Sequence, residues 1–374
     1  VKAEIVLPDG LTLKEFRERL EKKVGLNDLF VVCQPTAVQH VAEDLERLGV
    51  PLKNFFEVGL DAFGDGEKRF YVSHEDAAAL KKAASREETR FIILVGTRPF
   101  QQAEDWLDAF FTLEAAQPVL PTKRTVVVCT YAAYLRGHRK TKDGKGGHVF
   151  ASEPLAAQVF VDKILSRPFN SRYCIVTPHT KEKSVLGRLL KPFYPLPVFV
   201  EVVRRAYPSL NISLFAPDEE ASITVRAELN RALGRKVNTA YVKKFRGAGI
   251  DKTKAEEFVG NVSGTNVLCF DDLTSTGGSL ARTVDKSLQQ GAKGVMVGVT
   301  HMVTLAALVR LLESRANHVV FTNSIDLNYL LSTNRKLSRK ATQLVRRHLG
   351  GKLHYVSVAP TILEESVKVL AKRK

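Results

Sequence analysis

No apolar run in this 374-residue chain reaches the ~20 residues that a membrane-spanning helix needs. The charged opening VKAEIVLPDG also lacks the apolar centre of a secretory signal. Both absences speak against a membrane partner. The expectation is a soluble protein of the cytoplasm, or of an organelle where a leader has been removed. Cysteine is scarce: Cys33, Cys129, Cys174 and Cys269 lie in or at the end of β-branched apolar runs, with no CxxC pair and no Cys/His ligand spacing. That excludes a disulfide scaffold or zinc finger and predicts reduced strand residues. Acid is in deficit, with 40 Asp and Glu against 56 Lys and Arg and a net charge of +16, so anionic partners are favoured. Neither GxxxxGK[ST] nor GxGxxG occurs, which removes the two commonest glycine-rich phosphate loops.

What is present is an alternation of short β-branched runs and amphipathic segments. LFVVCQ, AVQHVAEDLERLG, RFIILVGT, AEDWLDAFFTLEAA, RTVVVCTYAAY and EPLAAQVFVDKIL follow one another, and the pattern restarts at RYCIVTP. Strand and helix in alternation predict mostly parallel sheets flanked by helices, in two tandem α/β units. The expected boundaries are an N-terminal extension over residues 1–27, a first unit over 28–170, a second over 171–357, and a last helix over 358–374. Two basic segments stand outside the rhythm. RGHRKTKDGKGGHVF reads as a surface loop. NRKLSRKATQLVRRHLGGK, within a basic insert at 334–352, holds seven Lys or Arg and no acid, with Leu337, Ala341, Leu344, Val345 and Leu349 at helical spacing.

The stretch VLCFDDLTSTGGSLART, residues 267–283, carries the chemistry. VLCF reads as a strand, SLARTVDKSL as a helix, and DDLTSTGG as the loop at the carboxyl end of a sheet, where ligands of open α/β folds bind. Thr274, Ser275, Thr276 and Ser279 offer hydroxyls. Gly277 and Gly278 let backbone amides approach a phosphate at a helix start. Asp271 and Asp272 would repel that phosphate on contact, so they are expected to accept hydrogen bonds from neighbouring sugar hydroxyls or to hold a metal.

This stretch resembles the phosphoribosyl-binding loop of type I phosphoribosyltransferases and ribose-phosphate pyrophosphokinases. Further segments, in the same order, resemble the pyrophosphokinases. FGDGE (Phe63, Asp65, Glu67) is similar to the family's FSDGE, and YLRGHRK (Arg136, Arg139) to its YARQDRK. IVTPHT places His179 at the family's metal-binding histidine, and SLFAPDEEA places Asp218 in its pyrophosphate loop. AYVKKFR (Lys243, Lys244, Arg246) is similar to its catalytic DKRR stretch, and VTH, VFTNSI and VSVAPTILEES match segments near the end.

The resemblance implies two tandem type I phosphoribosyltransferase-like domains and pyrophosphate transfer from ATP to the 1-hydroxyl of ribose 5-phosphate. By the same resemblance, residues 274–279 hold the 5-phosphate, Asp271 and Asp272 the ribose hydroxyls, and His179 with Asp218 the cofactor Mg²⁺. Lys243, with Arg246 or Lys244, stabilises developing charge. Arg136 and Arg139 grip the triphosphate. Phe63 stacks on adenine in a segment that in the family reaches into a neighbouring subunit, which implies a homo-oligomer or an assembly with a related subunit. The chain departs from the family at PDEEA, where Glu219 and Glu220 bring two side-chain carboxylates to the place where the family's glycines expose backbone amides. Like charges at ~4 Å cost roughly 1 kcal/mol in water and about 4 in a partly screened site. That departure and the basic segments define a second reading: a degenerate, structural pyrophosphokinase-like subunit that binds RNA or a ribonucleoprotein.

Overall fold

Leu29–Cys33 (β1) is buried at every position, a condition that a strand meets only with a layer packed on each face. The structure, a computed structural model, describes residues 1–136, 169, 173–179, 191–209, 211–216, 226–227, 229–231, 233–246 and 253–372, without the side chains of 242–246 and 253–257. Phe55–Glu57 (β2) is followed by a separate hairpin of Gly59–Ala62 (β3) and Lys68–Tyr71 (β4). Arg90–Val95 (β5), Thr125–Cys129 (β6), Tyr173–Val176 (β7) and Lys191–Phe193 (β8) come next. All except the hairpin form one parallel sheet in the order β2-β1-β5-β6-β7-β8.

A second sheet takes Ile212–Ala216 (β9), Asn238–Arg246 (β10), Thr253–Val259 (β11), Asn266–Thr274 (β12), Gly294–Met302 (β13), His318–Thr322 (β14) and Leu353–Val356 (β15). Its order is β11-β10-β9-β12-β13-β14-β15, parallel except for the antiparallel edge pair β10 and β11. The boundary expected at residue 170/171 therefore shifts: β7 and β8, assigned from sequence to the second unit, hydrogen-bond to β6 and complete the first sheet.

Helices cover both faces. Leu13–Glu21 (α1) starts at a capping box in which the Glu15 N–H donates to the Thr12 hydroxyl (3.3 Å) and the Thr12 N–H to Glu15 (2.8 Å). Phe16 and Leu20 of α1 and Val41 and Leu45 of Gln39–Arg47 (α2) pack on one face of the first sheet, against Val31, Leu94 and Val128. His74–Ala84 (α3) and Gln102–Ala116 (α4) cover its other face through Leu80, Trp106 and Leu113. On the second sheet, Leu196–Ala206 (α5) covers one face, while Gly278–Gln289 (α6) and Leu305–Glu313 (α7) cover the other. Leu327–Ser332 (α8) and Arg335–His348 (α9) follow β14. All four cysteines are free and buried within strands.

The chain ends cross between the sheets. Residues 1–27 do not form a separate extension: the Glu4 N–H donates to Tyr355 O (2.8 Å) and the Ser357 N–H to Glu4 O (2.9 Å), which adds Glu4 beside β15, while α1 lies on the first sheet. The last helix, Ala359–Ala371 (α10), leaves β15 and buries Ile362, Leu363, Val367 and Leu370 in the first sheet's core. Two polar ties join the halves. Asn323, after β14, donates to Asp44 of α2 (2.7 Å) and accepts from His40 Nε2 at its carbonyl (2.6 Å). His301, in β13, is 2% exposed; its Nε2–H donates to the carbonyls of Val176 (3.0 Å) and Thr177 (3.2 Å) at the end of β7, and its Nδ1 accepts from Ser324 (2.7 Å).

Burial pushes the His301 imidazole down from 6.5 to about 4. The unfolded chain takes up that proton near pH 6.5 and the folded chain only near 4, so stability falls as pH drops through this window, by up to about 3 kcal/mol from this group. In urea unfolding at pH 7 and pH 4, His301→Gln is expected to lose less stability than the parent over this interval. An identical pH dependence in both proteins would refute the assignment.

Candidate functional site

The site forms where the carboxyl ends of β7, β12 and β13 meet. β12 is longer than VLCF alone: β13 pairs with it as far as Leu273↔His301 and Thr274↔Met302, so Asp271 and Asp272 are strand residues at its carboxyl end. This register puts Asp272 opposite the residues that follow β7. His179 Nδ1 and Asp272 Oδ2 lie 2.5 Å apart, with side chains 31% and 24% exposed. The other Asp272 oxygen accepts from the Leu273 N–H (2.8 Å), and Asp271 accepts from the Asp272 N–H (2.9 Å). Burial works to raise the Asp272 pKa. The hydrogen bond and charge of His179, helped by Asp271 and the Leu273 N–H, outweigh it and hold the carboxyl below its ordinary value.

Past Thr274 the chain turns sharply into α6. Gly277 has φ +66°, and a Cβ there would sit 3.0 Å from Ala307 O, so both conformation and space demand glycine. Thr274 and Thr276 use their hydroxyls to shape the loop, accepting from the N–H groups of Gly277 (3.1 Å) and Gly278 (3.3 Å). The loop's carbonyls are drawn toward α7: Thr304 donates to Ser275 O (2.6 Å) and Arg310 to Thr276 O (2.9 Å). With carbonyls tied back, the start of α6 presents amides that have no intrahelical partner and the positive end of its dipole. Arg282 reaches the Ser279 hydroxyl at 3.4 Å and adds a cation at the same end.

Several contributors were not singled out from sequence. Thr177 holds φ +41°, rare for a β-branched residue, and its buried hydroxyl has no hydrogen-bond partner among the described residues. Tyr131 lies 5.0 Å, ring to ring, from His301. Burial raises the Tyr131 phenol, while the charge of Arg136 lowers it, which places Arg136 within electrostatic reach of the site. Arg310 has no local sequence signal. The VTH segment, by contrast, did mark His301.

The other expected residues fall elsewhere. Phe63, Asp65 and Glu67 form the tip of the β3–β4 hairpin, where Phe63 is 53% exposed with the Arg69 guanidinium 5.8 Å from its ring. Lys68–Asp108 (2.8 Å) and Phe70–Phe111 (ring centroids 5.3 Å apart) strap the hairpin to α4, and none of the three tip residues touches Asp271, Asp272 or His179. Lys243, Lys244 and Arg246 lie within β10, in register with Glu257, Glu256 and Thr253 of β11. Part of the segment after them, Thr253–Val259, is this edge strand. Arg139, Asp218, Glu219, Glu220, the basic segment from 137 onward and the EPLAAQVFVDKIL segment lie outside the described residues.

Among the described residues no three His, Cys, Asp or Glu side chains group closely enough to cage a metal. A neutral His179 that donates Nδ1–H to Asp272 presents a lone pair at Nε2, the arrangement by which a carboxylate orients a ligating histidine. One nitrogen and nearby carboxylates make a poor closed cage. They fit Mg²⁺, which keeps several waters and binds chiefly through substrate phosphates. No helix among the described residues is long and apolar enough to cross a membrane.

Comparison with known proteins extends this picture. No protein-family model matches the chain. Ribose-phosphate pyrophosphokinase of Saccharolobus solfataricus is 25% identical over 307 residues, 80% of this chain and 94% of that protein. The enzyme of Maricaulis maris is 27% identical over 322 residues (83% and 88%), and ribose-phosphate pyrophosphokinase 2 of Saccharomyces cerevisiae 24% over 330 (83% and 91%). The crystal structure of phosphoribosylpyrophosphate synthetase from Mycobacterium smegmatis superposes with a TM-score of 0.67 at 18% identity, covering 92% of this chain and 99% of that one. The architecture is thus two tandem type I phosphoribosyltransferase-like units, each a mostly parallel sheet flanked by helices.

Replacing Gly277 with Ala is expected to lower the unfolding free energy by about 1–2 kcal/mol, because a Cβ is forced into left-handed backbone and against Ala307. Denaturant unfolding measures it, and an unchanged midpoint would show that the turn tolerates a side chain.

Proposed function

We propose that this chain, a divergent relative of the ribose-phosphate pyrophosphokinases, transfers pyrophosphate from Mg-ATP to the 1-hydroxyl of ribose 5-phosphate and yields phosphoribosyl pyrophosphate and AMP. One observation carries the reading. His179 from the first sheet and Asp272 from the second meet beside a glycine turn whose carbonyls are tied back, so carboxylates and phosphate-binding amides lie on one edge.

On this reading the 5-phosphate rests on the start of α6, among Thr274–Ser279, and the sugar lies back toward Asp271 and Asp272. The two carboxylates accept from the 2- and 3-hydroxyls and fix the orientation of the 1-hydroxyl, which attacks the β-phosphorus of ATP. The bond from that phosphorus to the oxygen shared with the α-phosphate breaks, AMP leaves, and the hydroxyl proton passes to solvent. His179 and Asp218 would hold Mg²⁺, which would neutralise phosphate charge. Lys243, with Lys244 or Arg246, matches the charge that grows between entering and leaving oxygens. Arg136 and Arg139 hold the triphosphate. Phe63, on its projecting hairpin, offers an exposed face for adenine in a neighbouring copy, with Asp65 and Glu67 beside it. Most of the acceleration comes from positioning and charge, since this transfer needs little covalent help.

Purified protein with Mg-ATP and ribose 5-phosphate is expected to form AMP in proportion to phosphoribosyl pyrophosphate, and Asp272→Ala to reduce the rate at least a hundredfold. AMP no higher than with Asp272→Ala would end the enzymatic reading and favour a structural subunit in which Glu219 and Glu220 have closed the pyrophosphate loop.

Phe63→Ala is expected to raise the KM for ATP several-fold and leave the KM for ribose 5-phosphate unchanged. Equal effects on both constants would contradict a role in holding adenine.

A further inference from the structure

Helix α9 stands apart from the other described α-helices of nine or more residues, each of which carries an acid. Over Arg335–His348 it has no acidic residue, and Ala341 and Val345 are buried while Leu337 and Leu344 pack against the core. At ~100° per residue, Arg335, Lys336, Arg339, Lys340, Gln343, Arg346 and Arg347 share an outward arc of about 140°, along a helix ~21 Å long. Lys340 pairs with Glu313 of α7 (2.6 Å). The other five cations, all exposed, have no salt bridge or side-chain hydrogen bond among the described residues. Arg315, also exposed, lines a groove formed by α6, α7 and Leu337, together with Arg310, Asp285 and Glu313.

Fold stability does not account for this arrangement. Arg335 and Lys336 stand in the first turn, at the positive end of the helix dipole, where cations are unfavourable. Arg335 with Arg339 and Lys336 with Lys340 are like-charge pairs four residues apart, each mildly destabilising. At the other end of the helix, slight desolvation and then the charges of Lys352 and Arg347 hold His348 below its ordinary pKa. Arg335 and Lys336 thus stand where the helix's own folding disfavours cations, whereas Arg346 and Arg347 sit at its favourable end.

We infer that the outward face of α9 is a docking surface for the phosphodiester backbone of duplex RNA, independent of the catalytic site. The arc carries Arg, Lys and Gln and neither aromatic nor aliphatic side chains. Backbone contacts use such residues, whereas a protein partner needs an apolar centre. Without exposed aromatics it offers no stacking platform for single strands. Its apolar stripe is already packed inside the fold, so it cannot enter a bilayer as an amphipathic helix. A low basic ridge instead suits the wide, shallow minor groove of A-form RNA and the phosphates that border it.

The test is fluorescence anisotropy of the full chain with a labelled 20-base-pair RNA duplex at 50 and 200 mM KCl. The arms are a matched DNA duplex, a single-stranded RNA and phosphatidylserine vesicles. Tightest binding is expected for duplex RNA, falling steeply with salt. Arg335→Gln/Arg339→Gln/Arg346→Gln is expected to weaken it at least tenfold at low salt and to reduce the logarithmic salt slope by about 2 to 3. Lys22→Gln/Lys23→Gln/Lys53→Gln, which removes the same charge from the opposite half, should keep the affinity. Circular dichroism and ATP-dependent AMP formation should match the parent in both variants. Equal weakening in both variants would reduce the effect to net charge. Equal or tighter binding to DNA, single-stranded RNA or vesicles would overturn the assignment to duplex RNA, as would no binding at all.

Discussion

The candidate site depends on how the carboxyl end of one strand, β7, is clamped against the carboxyl ends of β12 and β13. His301 makes the clamp. Its ring is buried, donates to two carbonyls of the first sheet and accepts from a hydroxyl of the second, and so binds the backbones of both halves at one point. A buried imidazole with both nitrogens engaged fixes direction as well as distance, because breaking either bond leaves an uncompensated polar group inside the fold. Two residues beyond the clamp the chain reaches His179, which thereby meets Asp272. The left-handed backbone of Thr177 lies in that short link, so local strain is concentrated where the two halves are joined.

Much of this was legible in the sequence, for a physical reason. Strands buried on both faces must be apolar throughout, and RFIILV or VLCF cannot be mistaken for half-exposed strands. The glycine turn was legible because few residue types survive a positive φ beside another helix. What could not be read was membership. YCIV is as apolar as any strand of either sheet, and nothing in its side chains says which sheet will pair with it, so the division between the halves was set too early. Nor does local composition reveal where pairing stops. β12 continues through two aspartates because β13 happens to be as long.

The site residues divide in the same way. Asp271, Asp272 and the loop after them sit on one continuous segment and could be found together. Their partnership with His179 spans ninety-three positions and needed the fold. Thr274 and Thr276 illustrate a subtler limit: hydroxyls beside glycines suggest ligand donors, yet here they accept from the loop's own amides and act as its internal braces. The hairpin that carries Phe63 is tied to α4 and not to the loop.

The crossing of the chain ends has a bearing on how the molecule is made. A ribosome delivers the first sheet's strands early, yet the layer that α1 and α2 lay over one face of that sheet is completed only when Ala359–Ala371 arrives. The half that is synthesised first is therefore completed last, and part of that face waits with its apolar surface open through most of translation. Such a chain needs shelter during synthesis, and a premature stop anywhere before residue 359 would damage the half that had already been made.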